Sequence, residues 1–148
     1  MKIEFVVAAG ASEVLAVLVA EGRALAGTGP ALDTAASGAL AKAMTTSRFT
    51  GASNSTLTVA APAGIDAASV LLVGTGKDAL DDKGVETAAG AAYHAVKMSG
   101  AEVLTLDFGH LTPEQSARAG FAVRLAAYTF NKYRTTLKPD KIASINCR

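Results

Sequence analysis

Short, continuous apolar runs alternate along this chain with longer stretches in which apolar residues return at every third or fourth position. The runs read as buried strands and the stretches as helices with one apolar side. Two runs open the sequence, residues 3–8 and 14–20, the second rich in Val and Leu and closed by Glu21-Gly22. Gly27-Thr28-Gly29-Pro30 reads as a loop, and Pro30 stands where its fixed φ suits the first turn of a helix. Leu32, Ala36, Ala39, Leu40 and Ala43 follow at the spacing of that helix. Residues 47–55 are polar and contain glycine, which makes them a loop. Residues 56–61 read as a strand that stops at Pro62, and 69–73 as a buried strand closed by Gly74-Thr75-Gly76.

Asp81 and Asp82 can cap a helix over residues 83–99, with Val85, Ala88, Ala89, Ala92 and Val96 as its inner stripe and Gly100 as its stop. A stripe made mostly of alanine lets that helix lie close to a sheet. Residues 102–108 read as the next strand. Thr112-Pro113-Glu114-Gln115 is a capping box, with Thr112 as the cap, Gln115 reaching back and Pro113 in the first turn. The helix that it starts runs to Lys132, and residues 141–145 read as one more strand.

Strands alternating with helices define an α/β fold, a three-layer sandwich with a mixed sheet flanked by helices. The opening pair of strands, with no helix between them, is the reason to expect a mixed sheet. One helix stands apart. On the wheel for 113–132, Phe121, Leu125 and Tyr128 share one side, while Ala119, Ala122, Val123, Ala126, Ala127 and Phe130 take much of the opposite side. A helix that is apolar nearly all round is covered on both sides. One side can pack on this chain's own sheet, and the other calls for a partner.

The 148 residues fit one domain, and a chain of this size buries roughly 68–70% of the surface that it exposes when unfolded. Half of the residues are hydrophobic and 18% are charged, which is a packed globule and not a disordered tail. The single cysteine, Cys147, rules out a disulfide within the chain and suits a reducing compartment. The apolar run after Lys2 is short and follows Glu4, so it reads as a strand and not as a signal peptide. No run reaches the roughly 18 apolar residues of a membrane span. A cytoplasmic protein is expected.

The net charge of +1 divides unevenly, +6 from residue 118 onward and −5 before it. Such a basic tail can face nucleic acid or an acidic partner domain. With Tyr128 and Tyr133 as its only aromatic platform, the partner domain is the better reading, and no nucleic-acid partner is expected. Gly74-Thr75-Gly76-Lys77-Asp78-Ala79 matches G-x-G-x-x-A after a strand, a variant of a pattern that lets a pyrophosphate approach a helix N-terminus. No acidic residue stands at the right distance to hold a ribose, and a glycine turn accounts for the motif. Asp107 and His110 fall at a strand end, where sites of α/β sheets lie, but a metal needs more ligands and His94 falls on the outer face of its helix. No catalytic residue, metal ligand or cofactor-binding residue is assigned, and the chain alone is not expected to be an enzyme.

Three segments, VLLVGTGK over residues 70–77, ETAAGAAYHAV over 86–96 and RLAAYTFNKYRT over 124–135, together resemble the N-terminal domain of the cytosolic leucyl aminopeptidases. Their order and intervals fit over essentially all of residues 1–148. The resemblance implies a macro-like fold for this chain. It also implies a separate C-terminal catalytic domain in which two divalent metals, zinc or manganese, hydrolyse the N-terminal residue of peptides, and a hexamer with the N-terminal domains at its periphery. The sequence stops at Arg148 before any catalytic motif, so the catalytic domain is expected to be absent from this chain. The domain would then support assembly or access to the active site. Tyr128, Phe130, Tyr133, Arg134 and Thr135 are the residues that the resemblance places at the junction with that partner. A macro-like ADP-ribose or nucleotide-binding module and a DNA-binding accessory domain are the alternatives. The first lacks the Asn-rich and triple-glycine loops of macro domains.

Overall fold

The computed structural model describes residues 2–5, 12–25, 29–60, 62, 64–77, 81–97, 99, 101–109, 112–127 and 144–147. Its seven strands form one sheet. They are β1 (Lys2–Phe5), β2 (Ser12–Ala20), β3 (Ala24–Leu25), β4 (Thr56–Ala60), β5 (Ala67–Gly76), β6 (Val103–Asp107) and β7 (Ser144–Cys147). The order is β1-β7-β6-β2-β5-β4, with β3 paired to β2. β1, β7, β6, β2 and β5 are joined by parallel ladders, whereas β4 runs antiparallel to β5 and β3 antiparallel to β2. The sheet is mixed, but not for the reason that the opening strands suggested. β1 and β2 run the same way and are separated by β7 and β6, and the reversals come from β3 and β4.

Alternation along the central strands builds two cores. Val14, Ala16, Leu18, Leu71, Val73, Leu104 and Leu106 face the layer made by α3 (Asp82–Val96) and α4 (Pro113–Ala127). Leu15, Val17, Val19, Val70 and Leu72 face the other way, against Leu40 and Met44 of α2 (Ala39–Thr46) and Phe49. β2 and β5 are apolar at every central position because both faces are covered. Burial of each Leu or Val in these rows contributes about 1.5–3 kcal/mol relative to exposure.

The stretch expected as one helix after Pro30 is two, α1 (Gly29–Ala35) and α2. Ser37 and Gly38 both take left-handed backbone, φ 56° and 80°, and the Gly38 N–H closes α1 by donating to the Asp33 carbonyl at 2.8 Å. Gly38, at the cap of α2, has no side chain to offer, and Asp33 substitutes for it. Its carboxylate accepts from the Leu40 and Ala41 N–H groups at 3.0 and 3.1 Å, satisfying two donors that the first turn leaves free. At the far end of α2, the Arg23 Nε–H donates to the carbonyls of Met44 and Phe49, each at 3.1 Å, and sets a cation against the negative end of the helix.

Asp81 caps α3, accepting from the Gly84 N–H at 2.7 Å, and the expected stripe of Val85, Ala88, Ala89, Ala92 and Val96 is buried together with Ala91 and Tyr93. The capping box of α4 forms in both directions. The Gln115 N–H donates to Thr112 Oγ1 and the Thr112 N–H to Gln115 Oε1, each at 3.2 Å.

β5 is twice the expected length, and Gly74-Thr75-Gly76 belongs to it instead of closing it. Gly74 and Gly76 stay in the ladder with β2 across a bulge at Val19/Ala20. The loop at 51–55 folds onto the same two glycines. Their N–H groups donate to the carbonyls of Ser55 (2.8 Å) and Gly51 (2.9 Å). A Cβ on Gly74 would run into the Ala52 carbonyl oxygen, whereas one on Gly90, in the middle of α3, would meet nothing within 4 Å. Gly74→Ala should therefore lower the unfolding free energy by about 1–3 kcal/mol, the usual cost of overpacking. Gly90→Ala should raise it by about 0.5–1 kcal/mol through helix propensity. Urea denaturation of the two variants beside the parent checks both signs.

Candidate functional site

α4 meets α3 through small residues. Ala119, Gly120 and Val123 are buried, and Ala122, Ala126 and Ala127 pack half-buried against the same core. With so little side chain between them, the two helices lie close, and one ion cluster clamps their outer edge. The Arg118 Nη1–H donates to Glu86 Oε1 at 3.0 Å, and Arg118 Nε lies 3.4 Å from Asp82 Oδ2. Asp82 and Glu86 are one turn apart on α3. The Glu86 hydrogen bond first, and then the charge of Asp82, raise the guanidinium pKa above its ordinary value. The cluster is open to water, so it registers the two helices more than it stabilises them.

The opposite side of α4 faces solvent. Phe121 and Leu125 are 60% and 59% exposed, the only large apolar groups to stand in solvent among the residues whose side chains are described. The structure chooses between the two sides that the sequence left open. The Ala119, Ala122, Val123 and Ala126 side packs inward, and the Phe121 and Leu125 side faces out. Tyr128, Phe130, Tyr133, Arg134 and Thr135, the junction residues that the resemblance proposed, lie outside the described residues.

A concavity sits at the end of β5. It is a cavity of about 270 Å³ lined in part by Ser53, Gly74, Gly76, Lys77, Lys83 and Thr87. Its place is a natural one for a ligand, since the chain leaves β2 toward the α1/α2 face and β5 toward the α3 face, and sheets of this kind bind in such crevices. Three features count against an anion there. The close side of Gly74 is filled by the Ala52 carbonyl, and that of Gly51 (φ 88°) by the Ala20 carbonyl. The Asp81 carboxylate already occupies the first turn of α3. Lys77, at the rim, faces Glu21 at 3.9 Å. The described glycines let backbone approach backbone, as a glycine turn does. The part played by the 51–55 loop could not be read from residue types, although Gly51 in a polar run was its one signal.

Asp107 is buried at the end of β6, and His110 lies outside the described residues. His94 is exposed, as its wheel position required, with its ring edge-on to Tyr93 at 6.0 Å. Among the described residues no three His, Cys, Asp or Glu side chains come together as metal ligands. These residues do not fit a two-metal centre. No described helix is long and apolar enough to cross a membrane.

The architecture defines the class first. A mutant of tomato leucine aminopeptidase superposes with a TM-score of 0.80 at 20% identity, over 99% of this chain and 32% of that one. The macrodomain of Mycobacterium tuberculosis DarG superposes with a TM-score of 0.67 at 12% identity, over 98% of this chain and 96% of that one. The fold is a macro-like α/β sandwich. At the level of sequence, residues 16–137 match the N-terminal domain of the cytosol aminopeptidase family. A probable cytosol aminopeptidase of Caulobacter vibrioides is 49% identical over 98% of this chain, and one of Rhodopseudomonas palustris (strain BisB5) is 36% identical over 73% of it. This chain belongs to the cytosol aminopeptidase family and corresponds to its N-terminal domain. It spans 30% of the Caulobacter protein.

Likeness to a macrodomain at 12% identity carries the fold and no ligand. The filled glycine faces predict that ADP-ribose at about 1 mM produces no binding heat in calorimetry with this chain, so that any affinity is weaker than millimolar. Saturable heat with a tighter Kd would show that the loop at 51–55 can be displaced.

Proposed function

We propose that this chain is the non-catalytic N-terminal domain of a two-metal leucyl aminopeptidase of the cytoplasm. In this reading it serves the assembly of the enzyme or access to its active site, and the zinc or manganese pair and the peptide chemistry belong to the catalytic portion of the same protein. One observation carries the reading: the chain aligns along nearly its whole length with less than a third of an aminopeptidase. In the full-length protein the domain would sit at the periphery of a hexamer, with Tyr128, Phe130, Tyr133, Arg134 and Thr135 at the junction.

Two measurements test this. The 148-residue chain should release no p-nitroaniline from leucyl-p-nitroanilide, with or without added zinc or manganese. A chimera in which these residues replace the matching first stretch of the Caulobacter aminopeptidase should release it in a metal-dependent way. Turnover by the short chain, surviving a check for contaminating peptidase, or an inactive chimera would count against the reading. Light scattering supplies a second check on the short chain. A monomer or weak dimer at micromolar concentration is expected, and a stable hexamer would place the assembly contacts in this domain instead.

A further inference from the structure

Among the residues whose side chains are described, the large apolar groups that stand in solvent fall on one line. Phe121 and Leu125, the two large apolar side chains in solvent among the described residues, are four positions apart on α4, and exposed Ala117 precedes them by another four. Residues at this spacing stack along one side of a helix, so the three form a ridge. Arg124 and Arg118 are also exposed on α4, and Arg118 is already held by Asp82 and Glu86. The ridge is therefore apolar along its crest, with one of its cations neutralised in place. Exposed apolar surface set out in a line, with a polar rim, marks a surface that something covers.

The size of the ridge discriminates between occupants. Phe121 and Leu125 together offer on the order of 200 Å², against the roughly 800 Å² per partner of a stable complex between free proteins. Two free copies could not hold together on that area. A tethered partner needs far less, because the linkage supplies an effective concentration in the millimolar range. The relatives supply such a partner. More than two thirds of the Caulobacter aminopeptidase lies outside the stretch that matches this chain, and the matched family region is the N-terminal one. We infer that the Ala117–Phe121–Leu125 ridge of α4 is the surface on which the catalytic portion of the same polypeptide docks. The inference rests on the functional reading above and goes beyond it by naming the contact.

The test compares one double variant, Phe121→Gln with Leu125→Gln, in two settings. Glutamine keeps helix propensity and removes the apolar crest. In the 148-residue chain the pair should move the melting temperature by less than about 2 °C, as exposed positions do. In the active chimera it should speed thermolysin cleavage of the N-terminal portion by at least about tenfold, since a tenfold change in the open population is about the worth of one such side chain. Ala95→Gln, exposed on α3, should leave both readouts unchanged. Equal cleavage of the double variant and Ala95→Gln in an active chimera would overturn the docking surface while leaving the aminopeptidase reading intact. A marked loss of stability in the short chain would overturn it too, because the ridge would then be covered by this chain's own residues. So would a dimer of the short chain that the Gln pair dissociates, which would make the occupant a second copy.

Discussion

Everything in this domain is arranged around the parallel ladder between β2 and β5. Both strands are buried on both faces, so neither face can be left to water, and the chain must return twice to cover them. It does so with α1 and α2 on one side and α3 and α4 on the other. The opposite departures from β2 and β5 that this requires open a crevice at their ends. The loop at 51–55 then closes over the crevice by bonding to Gly74 and Gly76. The same demand for cover that builds the fold therefore also narrows the place where a sheet of this kind would hold a ligand.

That has a bearing on how far fold can carry function. A macrodomain and an aminopeptidase N-terminal domain share this architecture with the chain, and a reader of topology alone would look for a nucleotide at β5. Steric detail weighs against it. A carbonyl against the Cα of Gly74 and a carboxylate in the first turn of α3 are small features, but both stand where the cavity meets the helix.

Much of the layer structure was legible in the sequence because it depends on periodicity and on local hydrogen bonding. The stripe from Val85 to Val96, the Asp81 cap and the reciprocal Thr112–Gln115 box are interactions over three or four residues, and residue types specify them. What escaped was set by contacts distant in sequence. Nothing near Gly38 shows that Asp33 will cap α2, and the extension of β5 through Gly74 and Gly76 depends on β2 and on the 51–55 loop. β3 is two residues long, too short for any pattern. The edge position of β1 beside β7 is a matter of pairing, which the hydrophobic run at its start cannot encode. Of the candidate surface, the two-sided composition of α4 was visible at once. Which side faces outward was not, since it depends on where α3 stands.

The alanine-rich core beneath α3 and α4 has a mechanical side. Ala88, Ala89, Ala92 and Ala119 belong to the one core that joins α3, α4 and the sheet, with Ala122 packed against it, and close packing leaves such small residues no slack. Any larger residue in that row would lift α4 away, and would carry Phe121 and Leu125 outward with it although neither is touched. The reach of the domain toward whatever it contacts is thus calibrated from inside, by residues that no partner ever meets. Relatives that vary the volume of this buried row could alter the seating of the domain without changing its surface chemistry.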